Sequence, residues 1–178
     1  MNRDYKHPGE HLTICSTDSK TALEVVAQYN PKEIAFTKQV PWSQQTGNID
    51  NWLANGKLAL HYGANQPRTL SLELLFDGVE TGESVEADVE ILEQLASPIE
   101  AESDDELLRR AHICAVVWGS GQRKFVCVIE SLATKYTMFD RAGTPLRASC
   151  TVSLKEVNLA DMLESERAQN RVLRKKAS

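Results

Sequence analysis

The alternation of apolar and polar residues along this chain is mainly that of β-strands. The clearest case is "RTLSLELLFDG", residues 68–78, where one face is apolar and the other is polar except for Leu75. Two shorter segments, "TALEVVAQYNP" and "EIAFTKQVPW", alternate in the same way and end near Pro31 and Pro41, since proline lacks the backbone donor that a strand needs. The predicted apolar faces comprise Leu23, Val25, Ala27, Ile34, Phe36, Leu70, Leu72, Leu74 and Phe76.

One segment has the period of an amphipathic helix. In "ESVEADVEILEQLASPI", residues 83–99, the apolar positions recur at helical spacing and Pro98 ends the pattern. Ser84 is a candidate cap, and acidic residues follow in the first turn, where the helix dipole favours them. The apolar stripe comprises Val85, Val89, Ile91, Leu92 and Leu95.

A hairpin that is apolar on both faces is predicted for residues 112–140. A turn at Ser120-Gly121 places Trp118 opposite Arg123 and Cys114 opposite Cys127. An isolated antiparallel sheet normally keeps one face polar and in contact with water, so the second face of this hairpin needs cover. We expect the internal helix and a neighbouring subunit to share this role; a monomer with the helix alone as a lid is the alternative. The second face comprises Ile113, Ala115, Val117, Lys124, Val126 and Val128.

Residues 43–67 are rich in Gln, Asn and Gly and are long for a structureless loop. Asn55-Gly56 lies between "NWLA" and "KLALHY", and this dipeptide is a strong hairpin signal. We therefore predict a projecting hairpin.

The predicted order is two strands, the projecting hairpin, a strand, the helix, three strands and a final helix. Strands joined by short turns favour antiparallel pairing. We expect a mainly β (α+β) fold, with an antiparallel β-barrel or orthogonal sandwich packed against one helix. The predicted parts are an N-terminal arm at residues 1–19 (mobile, or one short edge element), the barrel domain at 20–157 and a charged C-terminal helix at 158–178.

Composition excludes several classes of protein. The 178 residues fit one domain, and the net charge of −5 argues against nucleic-acid binding. No run approaches the roughly 18 apolar residues of a membrane span, and no signal peptide is evident at the start. We therefore expect assembly in the cytoplasm, without direct membrane insertion. The basic end "RVLRKKAS" is either a solvated tail or a docking segment.

The residues predict no catalytic, cofactor-binding or metal site. The segment "WGSGQ" lacks the nucleophile-elbow pattern, and no phosphate-binding glycine loop or zinc-protease motif is present. His7 and His11 are four residues apart, but Pro8 and Gly9 prevent a helix that would bring them together. Cys114 and Cys127 are expected to pack as small apolar side chains, with a redox switch or a metal pair as the alternatives.

Three segments resemble the tube-domain proteins of contractile injection systems, the phage-tail-like particles that drive a rigid tube through a membrane. They are "EVVAQYNPKEIAFTKQVPW", "RTLSLELLFDGVETGESVEADVEILEQLA" and "ICAVVWGSGQRKFVCVIESLATKYTMFDRAGTPLRASCTVSLKEV", which together span roughly residues 20–157. The motifs Y-N-P, V-W-G, E-S-L, Y-T-x-F and G-T-P-x-R-A follow in the family's order. The chain is most similar to the adaptor type that joins spike and tube in the baseplate. Many relatives continue into a LysM module, in place of which we expect a short charged helix here.

The resemblance implies a structural protein, not an enzyme, that assembles into a hexameric ring between the spike or hub and the tube or tube initiator. The particle would be either released or membrane-anchored. An inner-tube or tube-initiator ring subunit is the first alternative, and a soluble β-barrel that binds a small ligand is the second. The expected subunit interface comprises Trp52, Tyr62, Ile113, Val117, Val126 and Val128.

Overall fold

The computed structural model describes residues 10–18, 22–44, 60–64, 66–103, 109–119 and 123–158. Within these residues nine strands and one helix confirm the predicted mainly β class. The projecting turn at Asn55-Gly56 and the predicted final helix lie outside the described residues. The elements are β1 Thr13–Ser16, β2 Glu24–Val26, β3 Ala35–Thr37, β4 Trp42–Gln44, β5 Leu60–Tyr62, β6 Thr69–Asp77, α1 Glu86–Ala96, β7 Cys114–Trp118, β8 Arg123–Phe139 and β9 Pro145–Glu156.

Seven strands form one antiparallel sheet in the order β2-β1-β7-β8-β9-β6-β3, and β4 pairs separately with β5. Strand β1 falls within the predicted N-terminal arm, yet it pairs with β2 on one side and β7 on the other. Residues 13–16 are therefore an inner strand of the sheet and not a detached arm or an edge. Their low hydrophobicity concealed this, because only Ile14 in the strand is fully buried.

Strand β8 belongs to both halves of the sheet. Its first residues pair with β7 in the predicted register, with Cys114 opposite Cys127 and Trp118 opposite Arg123. From Cys127 onward β8 pairs with β9, with a register shift between Ile129 and Ser131. A long strand that bends at such an irregularity is how orthogonal sandwiches turn a corner.

No strand ladder closes the sheet within the described residues, so the predicted closed barrel is not established. Strands β2 and β3 are consecutive in the chain but lie at opposite edges, so residues 27–34 cross the gap between the edges. The Gln28 side chain bridges this gap by donating to the Asp77 carbonyl (2.8 Å) and accepting from the Asp77 N–H (2.7 Å). At the other end of the gap, the Phe36 ring lies 5.4 Å from that of Phe125.

The core lies on one continuous face of the sheet, and α1 packs into the same core. Val89, Leu92 and Leu95 of the helix are fully buried there. The helix therefore covers the face that carries Val116 and Phe125. The expectation that it would help to cover the second face of the hairpin is wrong. The strands contribute Ile14, Val25, Leu70, Leu72, Leu74, Phe76, Cys114, Val116, Phe125, Cys127, Ala148, Cys150, Val152 and Leu154 to this core.

The start of α1 differs from the prediction by one residue. Val85 occupies the cap position without a side-chain cap. Ser84 lies just before it, and its Oγ accepts a hydrogen bond from the Glu86 N–H at 3.2 Å. The buried side chain of Val85 anchors the entry of the helix in the core, and Ser84 satisfies one backbone donor of the first turn.

A buried polar cluster ties β1 to the segment before β7. Asp18 accepts hydrogen bonds from Arg110 Nη2 (2.8 Å) and the Ile113 N–H (3.0 Å). Only 3% of the surface of His112 is exposed, and its Nδ1 lies 3.0 Å from Ser16 Oγ. Burial lowers the pKa of His112, against the opposing influence of the Asp18 carboxylate.

Adjacent leucines on β6 test the assignment of the core. Leu74 is buried and Leu75 is exposed. We expect Leu74→Ala to lower the free energy of unfolding by about 2–5 kcal/mol, and Leu75→Ala to lower it by about 1 kcal/mol or less. Urea denaturation of both variants measures this difference, and equal losses would show that the two faces are assigned wrongly.

His112 should make stability pH-dependent. Its pKa lies below the ordinary 6.5 in the folded protein, so the unfolded chain binds more protons as the pH falls through that value. The free energy of unfolding should therefore decrease on acidification below this pH, and His112→Gln should flatten the slope. Thermal unfolding at several pH values measures the slope. An unchanged slope in the variant would contradict this role.

Candidate assembly surfaces

The face of the sheet that points away from the core has a polar half, formed by β6, β9 and the later part of β8. Its side chains bind one another: Ser149 Oγ donates to Glu73 Oε1 (2.7 Å) and Arg147 Nη2 to Asp77 Oδ2 (2.6 Å). Three acidic and three basic residues give this surface no net charge. We call this surface the polar outer half; it comprises Thr69, Ser71, Glu73, Asp77, Glu130, Ser131, Lys135, Arg147, Ser149, Thr151, Ser153 and Lys155.

The other half of this outer face is apolar and only partly covered. Val117, Val126 and Val128 are half-buried, and we call them the apolar outer half. Val126 lies opposite Ala115 and Val117 opposite Lys124, so the two valines are diagonal neighbours on one face. Three of the predicted interface residues are thus brought together and remain accessible.

Ile113 does not belong to this accessible surface. Only 5% of its surface is exposed, and its carbonyl accepts hydrogen bonds from the N–H and Oγ1 of Thr17. Its position just before β7, where the Asp18 cluster holds the backbone, explains its burial. Ile113 contributes to the packing of the subunit rather than to an exposed surface.

The β4–β5 pair, which we call the arm, carries exposed aromatic rings. Trp42 lies opposite Tyr62, and their rings meet edge to face at 5.3 Å. A two-residue turn at Asn55-Gly56 would place Tyr62 opposite Ile49, so the observed register differs from that of a tight hairpin at this turn. Trp52, the other predicted arm residue, lies outside the described residues.

A second apolar surface lies where β8 ends, and the sequence analysis missed it. The turn that follows is well organised, since Asp140 Oδ1 accepts hydrogen bonds from the N–H groups of Ala142 and Thr144 at 2.8 Å each. The available signal in the sequence was the presence of three large side chains within the four positions before the turn. Because side chains alternate between the two faces of a strand, these three cannot all be buried on one face. This tip patch comprises Tyr136, Met138 and Phe139, which are 37%, 51% and 58% exposed.

Met138 has a φ of 58°, in the left-handed region. A non-glycine residue there costs about 1–2 kcal/mol, and such strain often marks functional positions. The backbone thus holds a large apolar side chain in solvent at an energetic cost. Packing within the subunit does not repay this cost, since the side chain is half exposed.

The cysteine pair has the environment of packing residues. Burial raises the pKa of Cys114 and of Cys127 to about 12 in each case, so the reactive thiolate is scarce near neutral pH. Within the described part of the chain, no three His, Cys, Asp or Glu side chains are placed to hold a metal ion. These observations support neither a redox switch nor a metal pair at Cys114 and Cys127.

Within the described residues, core side chains and α1 pack against the inner face of the sheet. A groove of about 520 Å³ lies on the outside of β6, beside Tyr29, Glu73 and Leu75. Its lining is mixed, and its polar side chains include Glu73 and Ser149, which bind each other.

Residues 11–164 match the family model described as contractile injection system tube protein. The chain belongs to this family. Members are structural, so this tube-family chain is a component of a contractile injection system particle and assembles with other components of that particle. A search of curated proteins finds no match. The single helix of the described residues, α1, is too short and too polar to cross a membrane.

Two substitutions at Met138 test the strain in the tip patch. Met138→Gly should leave the free energy of unfolding unchanged or raise it by up to about 1 kcal/mol, because glycine adopts positive φ without strain. Met138→Val should lower it by about 1 kcal/mol or more, because a β-branched side chain fits this region poorly. Chemical denaturation measures both, and the opposite order would mean that Met138 is not left-handed in solution.

Proposed function

We propose that this tube-family chain forms a hexameric ring that acts as an adaptor in the baseplate, joining the spike or hub to the inner tube. The observation that carries the proposal is the division of the outer face into a polar half and an apolar half. A ring around a channel needs both kinds of surface, one facing water and one covered by the next subunit.

The polar outer half suits the wall of a water-filled channel. Four of its six charged side chains are paired in the subunit, Lys155 Nζ with Glu130 Oε1 at 3.2 Å and Arg147 with Asp77. A wall without net charge offers no strong electrostatic site to a passing polypeptide. This favours the polar outer half, rather than the core face or α1, as the surface that lines the channel.

The apolar outer half and the arm suit contacts between neighbours. Half-buried Val117 and Val126 gain cover if an apolar surface of the next subunit packs on them, and exposed Trp42 and Tyr62 offer such a surface. A contact between two different patches is heterologous and generates a closed ring when the rotation between subunits closes. Among the described residues, the short edge strands β2 and β3 each pair on one side only, which leaves a free edge for a neighbouring subunit.

A second candidate is an inner-tube or tube-initiator subunit, which stacks ring on ring. This role requires the two ends of the subunit to be complementary to each other. The tip patch lies at the Phe139 end of the β8–β9 ladder, whereas the chain leaves the sheet at the Glu156 end, and the two ends differ in character. This difference suits head-to-tail stacking of rings and is the observation in favour of the second candidate, although an adaptor between two unlike partners also has two unlike ends.

Replacement of Val126 by Asp tests the interface. We expect Val126→Asp to abolish ring formation, because burying an unpaired carboxylate between subunits costs several kcal/mol (roughly 3–5), while the unfolding free energy changes by about 1 kcal/mol. Ala133→Asp is the matched control and should assemble normally, because Ala133 is an exposed residue of the same strand and lies opposite Thr151 of the polar outer half. Electron microscopy and sedimentation measure assembly.

Equal loss of folding and assembly in Val126→Asp would identify Val126 as ordinary core. Locating the chain in a map of the intact particle would separate the adaptor position from the tube. A wild-type chain that stays monomeric at high concentration and is absent from particles would overturn the ring itself.

A further inference from the structure

The tip patch is bordered by acidic side chains of α1. Glu86, Glu90 and Glu93 are four and three residues apart, so they lie on one face of the helix, and all three are exposed. Helix α1 packs against β8. Burial raises the pKa of Tyr136, and the carboxylates of Glu93 and Glu86 raise it further. Glu90 lies between these two glutamates on the same helix face. We call these three glutamates the acidic rim.

The negative charge of the acidic rim is not compensated within the described part of the subunit. None of the ion pairs there includes Glu86, Glu90 or Glu93. The surrounding sequence reinforces the charge, because residues 69–108 contain 13 Asp or Glu and no Lys or Arg. An apolar patch with an uncompensated acidic border fits an occupant that is both basic and apolar.

The chain itself contains such a segment. Residues 167–178 include five Arg or Lys and no Asp or Glu, with Val172 and Leu173 among the basic residues. The two sequences are therefore complementary in sign and both carry apolar side chains. We propose that the basic segment, residues 167–176, of a second copy of this chain docks on the tip patch and its acidic rim.

The direction of the sheet favours a second copy over the same copy. Strand β9 runs from Pro145, opposite Phe139, to Glu156, opposite Cys127, so the chain leaves the sheet about 36 Å from the patch. The 11 residues from Glu156 to Arg167 span about 36–40 Å when fully extended, so Arg167 of the same copy reaches the patch only along a straight and fully extended path. A copy offset along the ladder, as in stacked rings, instead brings its Glu156 end next to the patch. The proposal thus rests on the ring-forming function and deepens its stacked-ring form.

Charge reversal in the full-length chain tests the docking. One variant reverses the segment (Arg171→Glu, Arg174→Glu, Lys175→Glu), and the other reverses the acidic rim (Glu86→Lys, Glu90→Lys, Glu93→Lys). Each alone should weaken self-association about tenfold at 0.15 M salt, since three exposed ion pairs contribute modestly. An equimolar mixture should recover association, because each reversed surface then meets an opposite charge. Sedimentation velocity measures association, and circular dichroism confirms folding.

The matched control is Glu10→Lys, Glu33→Lys, Glu100→Lys, which changes the net charge equally on exposed residues outside the acidic rim and outside the strands. Association as weak as that of the rim variant would overturn the proposal, as would a rim variant that associates like the wild type. If the mixture fails but both reversals in one chain recover association, the segment binds its own subunit and the proposal is wrong. A wild-type chain that does not associate overturns the ring function as well, whereas the other failures leave it intact.

Discussion

A sheet has two faces, and the one helix of the described residues packs on only one of them. Helix α1 buries Val89, Leu92 and Leu95 in the core on the inner face. The helix leaves the outer face uncovered, so the character of that face is set by its own side chains. One half of it is polar, and the other half carries the half-buried side chains of Val117, Val126 and Val128.

Strand β8 makes this division possible. Its residues up to Cys127 pair with β7, those from Cys127 onward pair with β9, and a register shift lies between Ile129 and Ser131. Before the shift, the outward side chains include Val126 and Val128; after it they include Ser131, Ala133 and Lys135. The chemistry of the outer face therefore changes near the shift. One continuous strand carries part of the polar outer half and part of the apolar outer half.

The strongly periodic segments could be predicted from the sequence. Alternation located the inward residues of β6, and the helical stripe located the buried side of α1. The hairpin register followed from the turn position, because the side-chain period of a strand leaves little choice once both runs are apolar. The clustering of Val117, Val126 and Val128 on one outer surface followed from the same register.

Other features depend on tertiary contacts that no local pattern encodes. Strand β1 is short and half polar, and only pairing on both sides makes it an inner strand. The burial of Ile113 depends on Asp18, a residue distant in sequence. Which face α1 covers depends on the curvature of the sheet, which the hydrophobic pattern of the helix does not specify. Met138 has a left-handed backbone conformation. Methionine has no special preference for this conformation, so the sequence did not predict it.

The gap between β2 and β6 has a mechanical consequence. A strand ladder would hold two strands together along their whole length. Here the side-chain amide of Gln28 instead makes two hydrogen bonds with the backbone of one residue, Asp77. Side-chain hydrogen bonds, rather than a strand ladder, therefore connect the two edges of the sheet here. A small shift at this gap can leave every strand ladder of the described sheet intact, so the distance between these two edges can change without breaking a ladder.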